Sequence, residues 1–321
     1  MVLSYTYWMI KRKKPVKKSA KRKTGKHALK LNYPLWLTIL FAAVLIVIFG
    51  VVFTNANKIE QAQKLAGNSY HAKLMSHTYH PKAIVYPSVT PSPTPVPLSG
   101  FCLRVPVLMY HHIQPENIAK GLGQTALSVD NGIFDQQMQY LVSNGYTTFF
   151  ANELANALIT HTALPAKSVV ITLDDGYADS FTYALPILQK YNLKANMMLS
   201  TGLMENQDML SWDQVKGLKS SGLIYFTNHT WSHYAISRGS QDKIETEIDT
   251  AKAQIQQYTG QVTNMFTYPY GAFNANAIQT LQKKGYIGAF SEIPGQYQCD
   301  NFLMTLHRTR IGNSPLSYYG I

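Results

Sequence analysis

The sequence predicts an α/β fold, a parallel (β/α) barrel preceded by a single transmembrane helix. Three observations carry this. From about Cys102 onward, short apolar runs alternate with segments of helical periodicity. One of those runs, Val169–Leu173 (VVITL), has the continuous apolar character of a strand buried on both faces. The residues best suited to chemistry fall directly after such runs. That placement favours a barrel over an open, doubly wound sheet, because barrels gather catalytic groups at the carboxyl ends of several strands.

The N-terminal third reads as three regions. Residues 1–33 hold eleven Lys or Arg and no Asp or Glu, which accounts for nearly all of the formal charge of +12. The remainder carries 18 basic against 17 acidic residues, so no phosphate-binding face is predicted and nucleic acid is excluded as a partner. Residues 34–54 contain the uncharged run LWLTILFAAVLIVIFGVVF, long enough to cross a bilayer as a helix. The basic tail before it places that tail in the cytoplasm and everything after it outside. The alternative for this run is a cleaved signal peptide; the length of the basic region and of the apolar run favours a signal anchor. Residues 55–100 form a spacer whose second half alternates proline with Ser, Thr and Val, a composition that favours extended chain. Residues 101–321 then form the main folded domain. The two cysteines, Cys102 and Cys299, lie near its ends on the predicted outer side, where a bridge between them is chemically permitted and two separate thiols are the alternative.

Within the domain, strands are predicted at Val105–Tyr110, Val169–Leu173, Ala195–Ser200, Leu223–Thr227, Met265–Tyr268 and Ile287–Ser291. Helices are predicted at Phe134–Asn144, Tyr183–Tyr191, Trp212–Ser220, Gln241–Tyr258 and Asn274–Lys284, with Gly145 and Gly260 placed as C-terminal stops.

Three groups of residues at strand ends suggest chemistry. Asp174 and Asp175 are adjacent carboxylates after a buried strand; they repel one another, and a cation is the simplest compensation. Asp-Gly pairs are also common in plain turns. His229 and His233 are spaced by four, which on a helical turn would put both imidazoles on one face. Two imidazoles and one carboxylate form a facial ligand set with positions left open. Tyr270, between Pro269 and Gly271, sits in a tight loop whose exposed backbone N–H groups suit an oxyanion.

Taken together, these segments resemble the polysaccharide deacetylase family, carbohydrate esterase family 4. Thr172-Leu173-Asp174-Asp175-Gly176-Tyr177 is similar to the family's T-F-D-D-G motif, Asn228-His229-Thr230-Trp231-Ser232-His233 to N-H-[ST]-x-x-H, and Tyr268-Pro269-Tyr270-Gly271 to R-P-P-Y-G. The resemblance covers about Val105 to Ile311. It implies an irregular (β/α) barrel, Asp174 as general base, and Asp175, His229 and His233 as ligands of a divalent metal: zinc by default, with cobalt or nickel compatible. It also implies that the Tyr270 N–H helps hold the oxyanion. Two departures stand out. Tyr268 is read in the place of the motif's Arg, the residue that orients the base, and no Trp follows Trp231. Both are similar to the branch containing the biofilm poly-N-acetylglucosamine deacetylases, as is Val107-Leu108-Met109-Tyr110-His111-His112, which in that branch carries the catalytic histidine. The general acid is accordingly read as His111. His112 should point to the opposite face, and His307 is the remaining candidate, although Leu306-His307-Arg308 resembles the branch's structural closing strand.

The function expected on this basis is a membrane-anchored, metal-dependent deacetylase removing N-acetyl groups from glycans that contain N-acetylglucosamine. The alternatives are an O-acetyl xylan esterase with the same site, a catalytically inactive glycan-binding surface module, and a membrane-anchored structural protein.

Overall fold

The computed structural model describes residues 99–321. The basic tail, the apolar run at 34–54 and nearly all of the spacer lie outside the described residues. Among the described residues no helix is long and apolar enough to cross a membrane.

In chain order the elements are β1 (Cys102–Arg104), β2 (Val107–Tyr110), β3 (His112–Ile113), α1 (Glu116–Leu122), β4 (Ser128–Val129), α2 (Asn131–Ser143), β5 (Thr147–Thr148), α3 (Ala151–Ile159), β6 (Ser168–Leu173), a π-helical turn (Ser180–Ala184) running into α4 (Leu185–Tyr191), β7 (Ala195–Leu199), α5 (Trp212–Ser220), β8 (Ile224–Asn228), α6 (Gln241–Thr259), β9 (Met265–Thr267), α7 (Ala275–Lys283), β10 (Gly288–Pro294), β11 (Tyr297–Cys299) and β12 (Leu306–Arg310). Side-chain caps set the helix starts. Asp130 accepts from Gly132 N and Ile133 N, Ser211 from Gln214 N, Ser240 from Lys243 N and Asn274 from Ala277 N. Gly260 ends α6 in the left-handed region, with φ 68°.

The main sheet runs β2-β12-β10-β9-β8-β7-β6-β5, and β2 also pairs with β6. That pairing, in register from Val107↔Val170 to Tyr110↔Leu173, closes a parallel barrel and leaves β5 outside it. The barrel expectation holds.

Alternation along the strands divides the core. Leu108, Ile171 and Met197 pack outward with Phe134, Met138, Leu188 and Leu218 of the surrounding helices. Val107, Val170, Met198, Met265, Phe290 and Leu306 form a second cluster with Ala151, Leu154, Ala155 and Leu158. Helix α3 therefore plugs the barrel at the end opposite the strands' carboxyl termini. A third cluster joins Phe266 and Tyr268 to Ile244, Ile248, Ala277 and Leu281 on α6 and α7.

The five longest predicted helices and six predicted strands are present, with ends shifted by a few residues. The region from Ser180 to Ala184 is a π turn, not the start of an α-helix. Elements absent from the sequence reading are the short β1, β3, β4, β5 and β11, together with α1 and α3. Cys102 and Cys299 face each other in the antiparallel β1–β11 pair and form a disulfide.

Candidate active site

The carboxyl ends of β2, β6, β8, β9, β10 and β12 surround a cavity of about 420 Å³, lined by His111, Asp174, Asp175, His229, His233 and Tyr270 among others. All six residues singled out in the sequence meet here.

The loop after β6 turns sharply. Asp175 has φ 72° and Gly176 φ 91°. A Cβ on Gly176 would lie 2.7 Å from Met204 Cε and 3.1 Å from Leu199 Cδ2, so the turn needs glycine for space as well as conformation. The turn brings Asp175 Oδ1 to 3.2 Å from His229 Nε2 and 3.2 Å from His233 Nε2. This oxygen is buried and accepts no hydrogen bond. His229 Nδ1 lies 2.8 Å from the Thr267 carbonyl. A carbonyl only accepts, so Nδ1 carries the proton and Nε2 presents a lone pair. An orphaned carboxylate oxygen and imidazole nitrogens converging on one point fit a divalent cation.

The spacing of His229 and His233 achieves this by a different route from the expected helical turn. Residues 229–235 are irregular, with Thr230 at φ 67° and His233 at φ 56°. The loop is held from beneath. Asn228 Oδ1 accepts from Thr230 N at 2.8 Å, and Asn228 Nδ2 donates to Ile248 O and Tyr286 Oη. Ser232 donates through N and Oγ to the buried Glu247 carboxylate, at 2.8 and 2.6 Å.

Asp174 is 2% exposed and is gripped by Arg308, whose Nη1 lies 2.7 Å from both carboxylate oxygens. Arg308 Nε donates to Ser291 O, and the whole side chain is buried. Two sequence readings are corrected here. Tyr268 is not the seat of the base's partner, because its ring packs outward among Phe266, Phe273 and Tyr286-side residues of the third cluster. Counting back from Tyr270, the motif's Arg falls on Thr267, whose side chain meets Thr227. The strand Leu306-His307-Arg308 is also more than structural, since it supplies the missing guanidinium from β12. The signal available in the sequence was an Arg at an inward position of a short alternating strand, Leu306-His307-Arg308-Thr309-Arg310.

His111 lines the same cavity as the triad. Burial pushes its imidazole down, partly offset by the negative charges of Asp174 and Asp175. His112 turns away, pairs with Asp179 and stacks on Tyr177 at 3.6 Å between ring centroids. His307 stacks on Phe302 and does not line the cavity. Tyr270 has φ 59° and is 68% exposed at the rim, with its ring 4.5 Å from that of His233.

A family model described as polysaccharide deacetylase matches residues 161–289. A Bacillus subtilis protein, YxkH, whose name describes it as a polysaccharide deacetylase, is 30% identical over 209 residues, covering 65% of this chain and 71% of that one. The chain belongs to the polysaccharide deacetylase family. The Escherichia coli poly-β-1,6-N-acetyl-D-glucosamine N-deacetylase is 26% identical over 263 residues; the match takes in 69% of this chain but 38% of that longer protein. Among solved structures, the Streptococcus pyogenes deacetylase PplD in complex with acetate aligns with a TM-score of 0.62 at 30% identity, over 66% of this chain and 94% of that one. Both His111 and Arg308 lie outside the stretch that the family model matches. The closed barrel brings His111 into the cavity and Arg308 behind Asp174 through the β12–β2 and β2–β6 pairings.

Proposed function

We propose that this chain is a membrane-anchored, metal-dependent polysaccharide N-deacetylase that hydrolyses the acetamide of N-acetylglucosamine-containing glycans. The observation that carries it is the meeting, in one cavity, of an Asp-His-His triad, a second carboxylate held by a buried arginine, and a further histidine, His111. The names of the E. coli relative and of PplD support the reaction class. The apolar run at 34–54 behind a basic tail supports the anchor and an extracytoplasmic site.

Asp175, His229 and His233 would hold the cation, with zinc favoured by the ligand types. When bound, such an ion polarises the acetyl oxygen and makes water more acidic. Asp174, fixed by Arg308, accepts a proton from water as its oxygen attacks the amide carbon. The Tyr270 N–H donates to the oxygen that becomes negative. His111 delivers a proton to the departing nitrogen as the C–N bond breaks, leaving acetate and a free amine.

The test is acetate release from N-acetylglucosamine oligomers and from acetylated xylan, with the metal chelated and then restored. Activity should vanish on chelation and return with zinc. Asp174→Asn and His111→Gln should each lower kcat by about 10²–10⁴-fold, the range for loss of a proton-transfer group. His307→Gln should retain activity. Full activity in Asp174→Asn would sink the assignment, and release from xylan alone would make the chain an esterase.

A further inference from the structure

His112 is buried, yet the reaction as derived leaves it without a task. It does not line the metal cavity. Together with Asp179 it lines a different cavity, of about 220 Å³, that shares no lining residue with the first. Its place in the chain is what matters. Strand β2 ends at Tyr110, whose carbonyl accepts from Asp174 N at 2.9 Å. The chain then leaves the barrel, and β3 begins at His112, paired with β4. His111 is the single residue between the two strands. The direction of its side chain is therefore set by how its two neighbours are held.

The hold on the far side of His111 comes chiefly from one carboxylate. Asp179 Oδ2 pairs with His112 Nδ1, and Asp179 Oδ1 accepts from Ile113 N at 3.2 Å. A carboxylate only accepts, so His112 Nδ1 carries the proton. The backbone N–H of His112 donates to Leu127 O at 3.1 Å. The ring of Tyr177 stacks on the imidazole, with 3.6 Å between centroids and 26° between planes. Tyr177 itself lines the metal cavity, two residues after Asp175. Edge, face and backbone of His112 are thus all fixed, and both side-chain restraints come from the segment that follows Asp174 and Asp175.

Resting on the deacetylase reading above, with His111 as proton donor, we propose that His112 and Asp179 are positioning residues for that proton transfer: the pair fixes the backbone beyond His111 and keeps its imidazole directed at the departing nitrogen. A proton donor works only within hydrogen-bond reach of its target. A misplacement of about 1 Å can cost about 10²-fold in rate.

The experiment uses the full-length chain with zinc and two substrates, an N-acetylglucosamine oligomer and 4-nitrophenyl acetate. The amine of the first must gain a proton to leave, whereas 4-nitrophenolate leaves as the anion. Asp179→Ala and His112→Leu should each lower kcat on the oligomer by about 10–10²-fold, with KM and the ester rate unchanged. His112→Asn, whose amide can donate to Asp179 from the place of Nδ1, should recover most of the loss. In a His111→Gln chain, Asp179→Ala should cost nothing further, because both changes strike one function. The His111 imidazole signal, identified in histidine-labelled protein by its loss in His111→Gln, should shift or broaden in Asp179→Ala. Thermal unfolding shows that each variant is folded, and Asp179→Asn, which keeps the size and one acceptor, replaces Asp179→Ala if the latter is not. Equal losses on oligomer and ester, an additive loss in His111→Gln, or an unmoved His111 signal overturns the proposal. Because that signal is read apart from turnover, a parent chain that releases no acetate while Asp179→Ala still moves the signal keeps the positioning role and overturns the deacetylase reading instead.

Discussion

At the scale of single residues, Asp174 depends on a partner nearly as far from it in sequence as the domain permits. Asp174 is buried, and a buried carboxylate needs either neutralisation or a cation held in good geometry. Arg308 provides two contacts of 2.7 Å. Removing it leaves an uncompensated charge, which costs about 3–5 kcal/mol when a buried pair is broken from one side. Arg308→Met should therefore lower the melting temperature and abolish acetate release together. Arg308→Met/Asp174→Asn should recover much of the stability without activity, because both charges are gone. A double variant no more stable than the single one, by thermal unfolding, would show that the guanidinium does not act through Asp174. The acidic pair and the two histidines were legible in the sequence because each sits beside the strand that positions it. Arg308 was not, since its role exists only once β12 has closed against β2.

At the scale of an element, the loop carrying His229 and His233 is the costly part of the site. Thr230 and His233 both hold left-handed backbone, unfavourable for residues with a Cβ and worst for a β-branched one. Strain of this kind persists only where neighbours over-determine it, and Glu247 on α6 is the main restraint. It takes both hydrogen bonds from Ser232 and an ion pair from Lys243 at 2.6 Å. Burial pushes the Glu247 carboxyl up, but Lys243 and Ser232 outweigh it and set it below the usual value. A lowered folded value means stability that is complete above the ordinary carboxylate value of about 4.3 and is lost as pH falls through the folded one. Glu247→Gln should thus melt below the parent chain at neutral pH, with the gap closing below about pH 4.3. A gap that stays constant from pH 7 to pH 3 would rule out the ionised carboxylate as the restraint. The four-residue spacing of His229 and His233 foretold that the two imidazoles meet, but for a wrong local reason: in a helix it is the 3.6-residue period that aligns them, whereas here two left-handed residues do so.

At the scale of the whole molecule, the fold class was readable because strand-helix alternation and buried apolar runs are local features. The closing ribbon was not, because β1 and β11 are three residues each and are ordered by distant partners, each other and, for Gln298, the backbone of Val105 and His307. The Cys102–Cys299 bridge spans a separation of 197 residues. Closing a loop of that length in the unfolded chain corresponds to about 5 kcal/mol in the chain-entropy account. Replacing both cysteines with serine should lower the melting temperature by several degrees or more while leaving the acetate-release rate of the folded enzyme intact, since neither residue approaches the metal cavity. Loss of activity in variant protein that is still folded, judged by circular dichroism, would contradict that separation.

The same ribbon governs how the domain responds to being pulled. Anything that drags on the chain ahead of Ser99 delivers its load at β1. There the backbone pairing with β11 and the covalent link to Cys299 pass the tension sideways, and Asp300 Oδ1 adds a hydrogen bond from Phe101 N. The strand that follows, β2, carries His111 into the cavity and is spared the pull. Load entering ahead of Ser99 and the strand that carries His111 thus part company within a few residues.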